Sequence, residues 1–270
     1  MSQTGGKGPG LFYVRSGIAP SAKDVLSEAT FMRWYEEHAE EVVAKSGIHS
    51  MFRLASFHQF DRQILLMNDV PRYNATSKTS AFDGSKPFLT CPVLDDIGFL
   101  LSEEFKSISP TSEILPGTNN VFDLVEFDGN HLALRQNLMI RKENNEPAKS
   151  IVTVEIQPPT GLEADEVSGL LGKQVSRLKE GSGYTGSLVF ESCFSFASAG
   201  AKKPEGGKTE MWHEPPSWVA IHTFSGAVGD DMVKLIELDL HKMRGSIGNM
   251  HSEVRAWSLQ GGFGEKKLFE

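Results

Sequence analysis

The chain has 270 residues, 39% of them apolar and 23% charged, with a formal net charge of −8. That size suits one large domain or two small ones, each with an ordinary core. The acidic balance and the lack of any basic run argue against nucleic acid or an anionic membrane as the main partner. Both would need basic patches, and no apolar run reaches the ~18 residues of a membrane span.

Residues 1–10, MSQTGGKGPG, lack the charged-then-apolar order of a signal peptide and are expected to form a tail. LFYVRSGI, residues 11–18, is rich in strand formers. Ser27 can cap a helix running to about Lys45 and ending at Gly47. On that helix Phe31, Trp34, Tyr35, His38 and Val42 fall on one stripe, and Glu36, Glu37, Glu40 and Glu41 take the other side. IHSMFRLASF follows as a strand, and residues 59–86 are polar and turn-rich, which suggests an insertion. FLTCPVL (88–94) is a strand, IGFLLSEEFKSI a short helix and NVFDLVEF a strand. The order β-α-β-β-α-β is that of a ferredoxin-like unit.

The second half repeats it. SIVTVEIQ reads as a strand, and DEVSGLLGKQVSRLKE as a helix with Val167, Leu170, Leu171, Val175 and Leu178 inward. GYTGSLVFESCFSF reads as a strand, AGAKKPEGGKTE as a loop and SWVAIHTF as a strand. DDMVKLIELDLHKM is a helix with two acids at its positive end, and HSEVRAWSL closes the unit. A shift that lays Gly47 on Gly183 matches Phe31 with Val167, Trp34 with Leu170, Tyr35 with Leu171 and His38 with Gln174. Where one helix carries plain leucines, the other carries Trp and Tyr, so the first half is equipped for more than packing. The expected fold is α+β: two ferredoxin-like units in one chain, residues 11–130 and 131–270, each covering the other's open sheet face.

The first sixty residues also resemble a known group. Trp34, Tyr35 and His38 form a W-Y-x-x-H core on the first helix, followed by Gly47, Ile48 and an arginine-bearing strand with Arg53. This pattern is similar to the dimeric α/β-barrel superfamily, near its EthD-like fungal branch. The resemblance implies a pseudo-dimeric α/β barrel with helices outside and a pocket between helices and sheet or inside the barrel. It implies cofactor-free cyclases, Diels–Alderases, isomerases, decarboxylating lyases or monooxygenases, and in some relatives haem. It also implies that only the histidine-bearing half holds a competent pocket.

The candidate catalytic residues are His38, Tyr35 and Arg53. A neutral imidazole in an apolar pocket can act as acid, base or donor. The phenol is a donor. Arg53 shares a strand face with His49, Met51 and Ala55, and either pairs with Asp123 or Glu126 or anchors a substrate oxygen. Phe31, Trp34, Phe52, Trp218 and His222 are candidate substrate-lining residues; His222 alternates with Trp218, Ala220 and Phe224 on a strand. Trp212, His213 and Glu214 lie in a proline-stiffened loop. The eight histidines show neither H-x-H nor H-E-x-x-H spacing, and no phosphate loop or nucleophile elbow occurs. No metal or cofactor is expected. The two cysteines, Cys91 and Cys193, are expected to be buried free thiols of a cytoplasmic protein. The expected activity is a cofactor-independent cyclisation, isomerisation or lyase reaction on an apolar polyketide or terpene intermediate, [4+2] closure included. The partner would be that small molecule, with the chain monomeric as a pseudo-dimer or a homodimer. The alternatives are a hydrophobe-binding or stress-response barrel, or a haem- or oxygen-dependent enzyme.

Overall fold

A computed structural model describes residues 6–56, 86–140, 148–197, 216–248 and 250–265. The insertion expected at 59–86, apart from Lys86, lies outside the described residues, as do Trp212, His213 and Glu214. Eight antiparallel strands close into one barrel: β1 (Gly10–Ile18), β2 (Ile48–Ser56), β3 (Phe88–Leu94), β4 (Val125–Asn137), β5 (Ser150–Gln157), β6 (Tyr184–Ala197), β7 (Trp218–Phe224) and β8 (His251–Gly264). Around the barrel they run β1-β3-β2-β8-β5-β7-β6-β4. The first four strands therefore stand in the spatial order β4-β1-β3-β2, and the last four repeat it as β8-β5-β7-β6.

The long fourth strands make the closure. β4 pairs with β1 from Val125 to Ala133 and with β6 from Asp128 to Asn137. β8 pairs with β5 from His251 to Ser258, then runs on through a glycine-rich end to meet β2, Ser50 opposite Gly264. The strand signal in the sequence stops at Phe127 and Leu259, because the DGN and QGGFG that follow carry little strand propensity. Barrel closure overrides that weakness: an unclosed edge would leave a row of backbone groups unpaired.

The helices lie outside. α1 (Glu28–Val43) is capped by Ser27, whose Oγ accepts from the Thr30 N–H at 3.1 Å. It buries Phe31, Trp34, Tyr35, Ala39 and Val42 against the first-half sheet. The helix stops at Val43, short of Gly47, and Gly47 serves another purpose. A Cβ there would sit 2.2 Å from the Phe99 ring, so the glycine lets that ring lie against the backbone. Gly183, its counterpart, does take the left-handed conformation, with φ +76°. The single helix expected at 97–108 is broken into a 3₁₀ turn, Ile97–Leu101, and a one-turn α2, Glu103–Lys106. Ser102 sits extended between them and caps the second turn through Phe105 N–H. α3 (Ala164–Leu178) begins with a Glu163/Glu166 capping box and buries Val167, Leu171, Gln174, Val175 and Leu178; Leu170 is only half-buried. α4 (Asp230–Ile247) packs beside α3, with Asp230 and Asp231 in its first turn.

Strand alternation sorts the side chains into three apolar layers. One lies under α1, one under α3 and α4, and one fills the barrel. The barrel axis is bridged from wall to wall. The Tyr13 hydroxyl donates across it to Glu155 Oε1 at 2.6 Å, while Trp257 Nε1 donates to Thr153 Oγ1 at 2.9 Å between the neighbouring strands β8 and β5. Arg15 lies 3.5–3.8 Å from Asp128, Glu155 and Glu253. Burial, with Glu155 nearby, holds the Glu253 carboxyl above its ordinary pKa. Both cysteines are free; Cys91 is buried as expected, but Cys193 is exposed.

Candidate functional site

The candidate residues do not share one pocket. Phe31, Trp34, Tyr35, His38 and Arg53 gather under and beside α1. Phe52, one residue from Arg53, points the other way and belongs to the barrel filling. Trp218 and His222 lie on the outer face of β7, in the layer beneath α3 and α4. A strand's two-residue period separates Phe52 from Arg53, and the barrel itself separates the two helix layers.

The α1 stripe is an aromatic stack. The Phe31 and Trp34 rings lie 5.8 Å apart at 11°, and Trp34 and His38 lie 4.7 Å apart at 16°. Phe31 and Trp34 are buried, whereas the His38 side chain is 20% exposed and ends the stack at the solvent edge. Its Nδ1 stands 3.9 Å from Glu41 Oε2, beyond hydrogen-bond reach. Burial lowers the imidazole pKa, with Glu41 opposing, so the ring is neutral at pH 7. The histidine on the greasy face is thus explained by ring stacking with a wet edge.

Beneath the stack sits a buried polar cluster. The Tyr35 and Thr90 hydroxyls are 2.6 Å apart, and Thr90 Oγ1 also reaches the Val14 carbonyl at 3.4 Å. Burial raises the Tyr35 pKa, while Thr90, Ser16 and the Arg53 charge pull it back. The phenol therefore keeps its proton at neutral pH. Arg53 pairs across the strands with Thr90 on one side and Gly261 on the other. Its side chain is 10% exposed, and Nη2 donates to Glu36 Oε1 at 3.3 Å. Nε and Nη1 are buried and have no hydrogen-bond partner among the described residues. The expected partners Asp123 and Glu126 are not used; Asp123 accepts instead from Thr118. Glu36, placed by periodicity on the solvent side, turns to the guanidinium, and Glu41 accepts from the Ser109 N–H at 3.1 Å.

Pairing register identifies the equivalent positions in the second half. Thr90 opposes Val14 and Arg53, as Ala220 opposes Val154 and Val189. Tyr35, Arg53, Thr90 and Ser16 therefore correspond to Leu171, Val189, Ala220 and Ile156. Every polar member of the cluster is apolar in its twin. The sequence pattern singles out Tyr35 and Arg53 of this cluster but not Thr90 and Ser16. The available signal was a hydroxyl on the buried face of each strand, opposite an aliphatic residue in the repeat.

The second layer has a polar chain of its own, contrary to the expectation that it only packs. The Tyr184 and Ser187 hydroxyls are 2.5 Å apart, and Ser187 Oγ is 2.7 Å from His222 Nδ1. Burial pushes the His222 pKa down to about 3. The same register maps Tyr184, Ser187 and His222 onto Ile48, Met51 and Pro92. Each half thus carries a polar cluster exactly where its twin is apolar. Among the described residues no three His, Cys, Asp or Glu side chains form a metal-ligating group. No described helix is long and apolar enough to cross a membrane.

The fold and these two layers define a closed antiparallel α/β barrel with outer helices. No protein-family model and no curated protein matches the chain. Among solved structures it is similar to an anthrone oxidase-like protein at 12% identity, covering 98% of this chain and 95% of that one, with a TM-score of 0.49. It is also similar to a proposed monooxygenase from Lactobacillus acidophilus at 8% identity, covering 96% and 97%, with a TM-score of 0.47. A proposed chlorite dismutase matches at 7% identity over 95% and 96%, with a TM-score of 0.47.

Proposed function

We propose that the α1 layer is a small-molecule site and that the chain is a cyclase, isomerase or lyase working with its own side chains. The observation that carries this reading is Arg53. A buried guanidinium with two nitrogens unpaired among the described residues is costly, and the twin position carries valine in the same barrel. Its free N–H groups, with the neutral Tyr35 phenol and the Thr90 hydroxyl, suit the carbonyl or carboxylate oxygen of a mostly apolar compound. Fixed donors in a dry layer would polarise that oxygen as charge develops on it. The Phe31–Trp34 wall would hold a flexible polyketide or terpene chain in its reactive conformer. Intramolecular [4+2] closure, aldol cyclisation and decarboxylation all draw on those two effects. In this reading the halves are two ferredoxin-like units of a pseudo-dimeric barrel of the dimeric α/β-barrel kind, working in the cytoplasm. A second reading, a non-catalytic hydrophobe carrier, is favoured by the tight burial of Phe31, Trp34 and Tyr35.

The test is a panel of β-diketones of polyketide length beside the corresponding diols. Thermal shift follows binding, and mass spectrometry follows turnover. The ketones are expected to raise the melting temperature of the wild type more than that of Arg53→Met, and at least one is consumed. Binding without turnover of any ketone selects the carrier. Equal shifts in wild type and Arg53→Met overturn the site, and a Soret band in the purified protein overturns the cofactor-free reading.

A further inference from the structure

We propose that the layer beneath α3 and α4 holds a second small-molecule site, in which His222 presents its Nε2–H to the carbonyl oxygen of a compact, mainly apolar compound. The imidazole is fully buried on the outer face of β7, between Val152 on β5 and Ser187 on β6. Its nearest same-face neighbours along the strand are Ala220 and Phe224. Trp218 lies roughly 13 Å further along, at a strand's rise per residue, and is not part of the site.

The ring is held by one edge only. Nδ1 meets Ser187 Oγ, which in turn meets Tyr184, while Nε2 has no hydrogen-bond partner among the described residues. The imidazole lone pair is the best acceptor in this chain, so we assign Ser187 as donor to Nδ1 and Tyr184 as donor to Ser187. The ring proton then sits on Nε2, a donor aimed into apolar surroundings. The chain is dispensable to the barrel, because Ile48, Met51 and Pro92 fill the same three positions in the other half. A fixed neutral donor without a partner matches a neutral acceptor. Val152, Ala220 and Phe224 around the ring are apolar, so the rest of the compound would be apolar too. The strand neighbours of His222, Val152, Ser187, Ala220 and Phe224, include no cation to meet a carboxylate, so the ligand class is a ketone or aldehyde.

The test uses 1-tetralone and tetralin, which share a skeleton and differ in the carbonyl. In the wild type, tetralone is expected to shift the His222 Nε2–H signal of histidine-labelled protein, and tetralin is not. Tetralone should bind about tenfold more tightly than tetralin, the usual worth of one buried hydrogen bond. That preference should vanish in His222→Leu and weaken in Ser187→Ala, which keeps the ring but frees its tautomer. If His222→Leu does not fold, the wild-type signal and Ser187→Ala decide. Equal affinity for the two probes overturns the proposal, as does a preference untouched by the variants. A persistent cross-peak from Nε2–H to water that neither probe disturbs also overturns it, by showing an ordered water only.

Discussion

The two helix layers are built on the same strand register, yet they place their polar groups at different depths. Under α1 the cluster centres on the Arg53–Thr90 cross-strand pair, and a charged group is held in reach of a phenol and two hydroxyls. Under α3 the equivalent positions are Val189 and Ala220, and the polar chain moves two residues along the strands to Ser187 and His222. The strand cluster of the first layer carries a fixed charge, and the Tyr184–Ser187–His222 chain of the second carries only neutral groups. An architecture that accepts valine or arginine, proline or histidine, at matched sites does not require either polar set for folding. In the reading proposed above, the two polar sets serve ligands, a different one for each layer.

The largest effect is expected from making the first layer a copy of the second. The variant Tyr35→Leu, Arg53→Val, Thr90→Ala, Ser16→Ile should fold and lose binding of the long β-diketones, while the His222 layer keeps its own ligand. Replacing a buried charged group by apolar side chains is often neutral or stabilising by about 1–4 kcal/mol. Thermal unfolding should therefore show an unchanged or raised melting temperature. A collapsed fold would mean that the polar cluster is structural.

Tyr35→Phe removes one donor. Turnover should fall by about 10²-fold or more if the phenol assists the reaction, while stability falls by about 1 kcal/mol through loss of the Thr90 bond. Kinetics and urea unfolding on the same preparation separate the two effects.

Acid should act on the second layer. His222 has a folded pKa of about 3, well below the ordinary histidine value. Between those values the unfolded chain binds a proton that the native state does not, so stability is full near neutral pH and is lost as pH falls. At pH 5 the loss from this group is about 2 kcal/mol. Unfolding free energies of wild type and His222→Leu should converge or cross on acidification; parallel curves would show that His222 does not titrate as its burial demands.

The smallest pair compares the two helices directly. Gln174 is buried and donates to the Ile236 carbonyl at 3.4 Å, tying α3 to α4, whereas His38 is part-exposed and only stacks. Gln174→Ala should cost about 1–2 kcal/mol of stability and His38→Ala about 1 kcal/mol or less. Denaturant midpoints giving the reverse order would show that the His38 stack matters more than its exposure suggests.

Local sequence carried a great deal here. FLTCPVL and SIVTVEIQ mark β3 and β5 to the residue, because apolar and β-branched runs bounded by turns need no distant partner to be read. The aromatic stripe of α1 and its Ser27 cap were equally legible, being set within two helical turns. The repeat itself showed in matched apolar positions. Only the tertiary structure decided that β4 and β8 run on to close a single barrel, since their weak ends are strands only because β6 and β2 offer them hydrogen-bond partners. It likewise decided which residues form clusters. Tyr35 meets Thr90 across 55 residues of chain, Ser187 meets His222 across 35, and Arg53 turns to Glu36 although neighbouring carboxylates looked as suitable. Such contacts depend on strand register and on which way a side chain faces, and both are fixed by closing the whole sheet rather than by any local pattern.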